Sequence, residues 1–212
     1  MKKFLFIFLF LLLLGSFSID AQNIVKSSPV ANVTNTFVGG GIVIGGGNIF
    51  RGEMAKGMEE AKGHYKGMLA TTINAVGLTS FFNEKGLDTV IQNSLQFEDI
   101  ADKINPAEAI SALESGKIVI FGGGTGRPFV STDTGAAERA SDIKAEAILM
   151  AKNGVDGVYS ADPKTNPEAK HFPTITFAEL ESMGLQVIDK EASEYIHGKG
   201  IDVILFNMNT PG

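Results

Sequence analysis

The apolar and polar positions of the chain change texture twice. The first change is at the N-terminus. There Phe4 to Leu14 run apolar without a break, behind Lys2 and Lys3 and ahead of small and polar residues ending at Ala21. A basic, then apolar, then small-residue order predicts a secretory leader over residues 1–21, cleaved after Ala21. The run falls well short of the roughly 20 residues a membrane-spanning helix needs. A buried helix fits it poorly, because it has no polar face. Residues 22–41 are rich in Ser, Asn, Thr and Gly and read as a linker or irregular strand.

The second change comes at Ile42, where short apolar runs begin to alternate with helical patterns. Ile42–Ile44 is a β-branched run that stops at glycines. Leu69, Ile73 and Val76 stand at i, i+4 and i+7, which predicts an amphipathic helix closed by Gly86. LDTVIQNSL suggests a strand. Asn105, Pro106 and Glu108 read as an N-cap, a proline at the first helical position and an acid two further on, opening the helix PAEAISALESG. KIVIFGGG is a buried strand entering glycines, GAAERASDIKAEAILMAKNG a helix and a strand, and VDGVYSADP a strand or tight turn. Thr176 and Glu179 form a capping box, DKEASEYIHGKG is the last helix and DVILF the last strand. Strands alternating with helices predict an α/β fold around a mostly parallel sheet.

Composition narrows the chemistry. The chain has 212 residues, no cysteine, and a formal net charge of −6 with a pI of about 5.1. That excludes disulfides, thiolate metal sites and a cysteine nucleophile, and implies no nucleic-acid-binding basic face. The three histidines, His64, His171 and His197, lack metal-ligand spacing, so any metal would be a hard cation held by oxygen.

Ligands of parallel sheets bind beyond the carboxyl ends of the strands. Two glycine-rich stretches fall there, GGGN at 45–48 and GGGTGRPFVSTD at 122–133. Neither is a Walker A loop or a dinucleotide fingerprint. Each fits a tight turn or an anion cradle of backbone N–H groups. Finding two in one domain, with Arg51 and Arg127 beside them, favours phosphate. Arg51 is close enough to serve the first loop, although a solvated surface role is open to it. Asp133, Asp162 and Asp189 fall at loop or helix-start positions, where capping is the plain alternative. His64 and Tyr65 fall at a helix start and read as surface or packing residues.

VIGGGNIFRG, GMLAT, GGGTGRPFVSTDT, AKNGVDGVYSADP and VILFNMNTPG, in that order, resemble the bacterial UMP (uridylate) kinases of the amino-acid-kinase fold. The likeness spans about residues 42–212. It implies a three-layer α/β/α fold, phosphoryl transfer from ATP with Mg²⁺ to UMP, a homohexamer, and a cytoplasmic setting with no nucleic-acid or membrane partner. As catalytic residues it implies Arg51, Asp133 and Asp189. For UMP it implies Gly46, the run Thr125, Gly126, Arg127, Pro128, Phe129, Val130, Ser131 and Thr132, and His64. For ATP it implies Gly47, Arg51, Asn153, Tyr159 and Asp162. No metal-ligating residue is assigned.

The chain departs from the family pattern at four places. The family's first strand, with its Lys-x-Ser-Gly-Glu loop, has no counterpart in sequence, and the chain stops before the final helix and strand. The implied fold is thus truncated at both ends. His64 stands where the family has an Asp for the ribose hydroxyls, and Arg127 where it has Asn. The alternative these departures leave is an exported or non-catalytic nucleotide-binding module built on the kinase fold.

Overall fold

The computed structural model describes residues 5–9, 40–51, 54, 56–152, 157–185, 188–207 and 209. Its elements in chain order are β1 (Leu5–Leu9), β2 (Gly40–Ile44), α1 (Glu60–Glu84), β3 (Thr89–Asn93), β4 (Asp102–Lys103), α2 (Pro106–Glu114) and β5 (Ile118–Gly122). Then follow α3 (Thr132–Asp142), β6 (Ala147–Lys152), β7 (Val158–Tyr159), β8 (His171–Phe172), α4 (Phe177–Ser182), α5 (Lys190–Ile196) and β9 (Asp202–Asn207).

One seven-stranded sheet runs in the order β4-β3-β5-β2-β1-β6-β9, every pairing parallel, and β7 and β8 form a separate antiparallel pair. Alternation along the central strands divides the core into two. Ile42, Ile44 and Ile120 pack toward Ala75 and Phe82 of α1. Val43, Val119 and Phe121 point the other way, into a cluster with Leu113 of α2, Ala136 and Ala140 of α3, and Ile196 of α5. The result is the expected three-layer α/β/α arrangement.

Residues 5–9, within the predicted leader, form a strand in the middle of the sheet. Residues 5–9 pair with β2 on one side, Leu5 opposite Gly40, and with β6 on the other, Leu5 opposite Ala147. A central parallel strand, covered on both faces, reads as a continuous apolar run, and LFIFL is one. Apart from residues 5–9 and 40–41, the predicted leader and linker lie outside the described residues. Among the described residues no helix is long and apolar enough to cross a membrane.

Local signals behave as their chemistry requires. Asn105 Oδ1 accepts from the backbone N–H of Ala107 (3.1 Å) and Glu108 (3.3 Å) at the start of α2. The Thr176 hydroxyl accepts from Glu179 N while the Glu179 carboxylate accepts from Thr176 N, closing the box on α4. The apolar stripe of α1 corrects the sequence reading. Leu69 and Ile73 are 41% and 60% exposed, and the buried face is instead Met68, Ala70, Thr71, Thr72, Ala75 and Phe82. Ala70 and Ala75 stand where the helix lies directly on the glycine loops: a Cβ on Gly46 would come 2.8 Å from Ala70 Cβ, and one on Gly122 3.2 Å from Ala75 Cβ.

Candidate functional site

Both glycine loops are fixed to α1. After β2, Gly46 O accepts from Ile49 N and Phe50 N, each at 3.0 Å, turning the chain back on itself. Asn74 of α1 donates through Nδ2 to Gly45 O (2.7 Å) and exchanges amide hydrogen bonds with Asn48. Arg51 Nε donates to Gly47 O at 2.9 Å, so the loop sets the direction of its own guanidinium. After β5, Gly123 N donates to Thr71 Oγ1 (2.8 Å), and Ser94 Oγ donates to Gly124 O (2.7 Å). Thr72 Oγ1 donates to Asn93 Oδ1, and Asn93 Nδ2 donates to Leu95 O. Asn93 is fully buried, so this polar layer of α1 and β3 is satisfied internally, as burial demands.

The two loops and α1 border an open cavity of about 730 Å³. Its floor is one helical face, with Gly63, Gly67 and Thr71 spaced at i, i+4 and i+8, and the two glycines leave space a side chain would fill. Of the residues implied by the family likeness, Gly46, Gly47 and Arg51 line it from the first loop, and His64 from α1. Thr125, Val130, Ser131 and Thr132 line it from the second. Ser131 is also the N-cap of α3, its Oγ accepting from Thr134 N at 3.0 Å. The positive end of an eleven-residue helix therefore opens beside the cavity, next to Arg51 and Lys56. This set can hold a phosphate-bearing ligand.

Other implied residues stand outside the lining. Gly126, Arg127, Pro128 and Phe129 form the outer part of the second loop; Phe129 is exposed, at φ 65°, with its ring 4.7 Å from that of His64. Asp133 lies in the first turn of α3, where a carboxylate suits the helix dipole. Asp189 caps α5 by accepting from Ala192 N (2.8 Å), and it also accepts from the hydroxyls of Ser131 and Thr134, tying α5 to the start of α3. Burial pushes its carboxyl up, but the hydrogen bonds from Ser131, Ala192, Thr134 and Glu191 outweigh this and hold it below the ordinary 3.8. Tyr159 lies on β7 with its ring 4.9 Å from His171. Asp162 closes a turn, accepting from Lys164 N at 2.9 Å. Neither borders the cavity, and Asn153 lies outside the described residues.

The sequence reading missed Lys56, Met58 and Glu60 along the cavity, and the tethers Thr71, Asn74 and Asn93. Lys56 had no local pattern to mark it. Thr71 and Asn74 did leave a signal, as polar residues in a helix that flank the apolar positions on the loop side.

Comparison with known proteins agrees with this architecture. The model of the amino acid kinase family matches residues 19–207. The chain is 43% identical over 188 residues to the uridylate kinase of Streptococcus thermophilus, covering 88% of this chain and 77% of that one. It is 40% identical over 201 residues to the uridylate kinase of Cutibacterium acnes, covering 93% and 85%. Among solved structures, UMP kinase from Ureaplasma parvum superposes with a TM-score of 0.86 at 32% identity, covering 100% of this chain and 92% of that one. UMP kinase from Bacillus anthracis gives the same score and identity over 99% and 89%. With two glycine loops packed on one helix at the carboxyl ends of a parallel sheet, and relatives matched over most of their length, the chain belongs to the amino acid kinase family, on the branch that holds the bacterial uridylate kinases.

Proposed function

We propose that the chain transfers the γ-phosphoryl group of ATP to UMP, giving ADP and UDP, and that it does so in the cytoplasm, where both nucleotides are. The observation that carries this reading is the convergence of both glycine loops, Arg51 and the N-terminal end of α3 on one cavity. An oxygen of the UMP phosphate attacks the γ-phosphorus while the bond to the β,γ-bridging oxygen breaks. Such a step needs alignment and cationic support more than covalent help. Arg51, aimed by Gly47 O, supplies a fixed fork of N–H donors for the moving charge. Gly46 and Gly47 let phosphate oxygens approach the backbone, and Thr125, Ser131 and Thr132 offer hydroxyls on the acceptor side.

Mg²⁺ would shield the phosphate charge between the two nucleotides. No group of three or more acidic or imidazole side chains able to hold a metal stands among the described residues. A magnesium ion that takes its ligands mainly from substrate phosphates and water fits that donor set. Asp133, at the start of α3, is the carboxylate nearest in sequence to the acceptor loop.

ADP release followed with UMP, with CMP and with no acceptor tests the reading. UMP-dependent release well above the acceptor-free rate is expected; equal rates overturn it. Binding of UMP without turnover would instead support the non-catalytic module, which the lysine-free LFIFL strand favours. The reading includes a homohexamer. Tyr65, Leu69 and Ile73, exposed at i, i+4 and i+8 on the outer face of α1, form an apolar stripe that supports self-association. Sedimentation velocity showing a monomer at micromolar concentration removes that part.

A further inference from the structure

The resemblance gives Arg127 a place against the acceptor, yet its guanidinium is engaged elsewhere. Arg127 Nη2 donates to Glu138 Oε1, reaching from the outer part of the second loop to the second turn of α3. Glu138 is buried, and its other oxygen, Oε2, accepts from Arg139 Nη2 at 3.0 Å. Arg139 Nη1 in turn lies 3.1 Å from Asp142 Oδ2. The four charges alternate in sign along one line, from the loop into the helix layer. Thr134 to Ala140 are all buried, so an unpaired carboxylate at Glu138 would carry a heavy desolvation cost.

The loop that Arg127 belongs to needs such a fastening. Gly123, Gly124, Gly126 and Phe129 all have positive φ, and for Phe129, at 65°, that is a conformation side chains avoid unless their surroundings impose it. The start of the loop is held by Thr71 and Ser94, and its end by the bond from Ser131 to Asp189. Between these anchors, Arg127 reaches out of the loop to α3.

We propose that Arg127 is a positioning residue: paired with Glu138, it clamps the middle of the loop that walls the cavity, and so sets acceptor affinity without touching the acceptor. This rests on the kinase reading, and it makes a different demand from a base-reading arginine. A base reader acts on UMP whatever stands at Glu138. A clamp is lost from either end, and only once, with Glu138 the costlier end because it also holds Arg139.

The test is a double-mutant cycle on the full chain, with Arg127→Gln, Glu138→Gln and the pair. The readouts are the rate of chymotryptic cleavage after Phe129, which needs no activity, and KM and kcat for UMP. Arg127→Gln is expected to speed cleavage and raise KM about five- to tenfold, with kcat within about twofold; Glu138→Gln, which also releases Arg139, at least as much, and the double variant no more than Glu138→Gln alone. Arg127→Lys, a point charge without the fork, should restore only part. Should Glu138→Gln fail to fold, Glu138→Asp keeps the charge while withdrawing the carboxylate. Additive effects, an effect of Arg127→Gln without one at Glu138, or unchanged cleavage in both singles overturn the clamp. A wild-type chain with no UMP-dependent turnover overturns the kinase reading instead, and the cleavage cycle still decides the clamp.

Discussion

The two glycine loops look alike in sequence, each a GGG at the end of a buried parallel strand, but Gly46 in the first and Gly124 in the second need glycine for different reasons. At Gly46 the backbone conformation is ordinary and space is the limit. A Cβ there would stand 2.8 Å from Ala70 Cβ, 2.9 Å from Gly67 O and 2.9 Å from Thr71 N, against the wall of α1. At Gly124 the reverse holds. Its φ is +56°, while the nearest atom a Cβ would meet is the flexible Met68 Cγ at 3.4 Å. Gly46 is thus held by a close contact with α1 and Gly124 by a bent path, while Gly122 and Gly123 of the second loop also meet a wall, a Cβ there standing 2.5 Å and 2.9 Å from Asn93 Oδ1. The same letter thus reports a packing constraint at Gly46 and a torsional one at Gly124.

The largest expected effect comes from removing the strand that borders one loop's strand and not the other's. β2, which leads into the first loop, is bordered by β1 and β5, whereas β5, which leads into the second, is bordered by β2 and β3. Deleting residues 1–21, as leader cleavage would, opens the sheet between β2 and β6. The expected outcome is loss of a cooperative unfolding transition by calorimetry or circular dichroism. A truncated chain that melts like the full one would show that β1 is dispensable and that the leader reading can coexist with the fold.

Milder changes sharpen the contrast. Gly46→Ala must displace the α1 backbone and is expected to cost about 2–3 kcal/mol, a fall of roughly 5–10 °C in Tm. Gly124→Ala needs only an unfavourable torsion, costing about 1–2 kcal/mol. Asparagine and alanine should rank in opposite orders at the two sites. It tolerates the left-handed region, so Gly124→Asn is expected to be gentler than Gly124→Ala, while the bulkier Gly46→Asn is harsher than Gly46→Ala. Thermal melts of the four variants check this, and parallel ranks at both positions would mean that one constraint governs both loops.

Much of the fold was legible wherever the signal is local. The caps at Asn105 and Thr176 act within a few residues of themselves, and the structure reproduces both. The buried runs at Ile42–Ile44 and Ile118–Phe121 are strands because apolar β-branched residues covered on both faces have few alternatives. The α1 stripe failed because periodicity shows only that a face is apolar, not what it meets. Leu69 and Ile73 satisfy the pattern, but the side against the loops had to be Ala70, Thr71 and Ala75. Of the residues singled out in the sequence, Gly46, Gly47, Arg51, Thr125, Val130, Ser131 and Thr132 border the cavity, while Gly126 to Phe129 do not; Asn74 was not singled out, since its partner Gly45 lies far away in sequence.

The sequence by itself determined the α/β alternation, the caps, the glycine loops and the family, because each is written in contiguous residues. Tertiary structure alone decided three further points. Residues 5–9 of the apolar N-terminal run pair between β2 and β6, Asp189 braces Ser131 and Thr134, and Arg127 turns to Glu138 rather than to the cavity. Each of these joins residues separated along the chain, through hydrogen bonds and charges whose energies depend on burial and distance, and those exist only once the layers have closed.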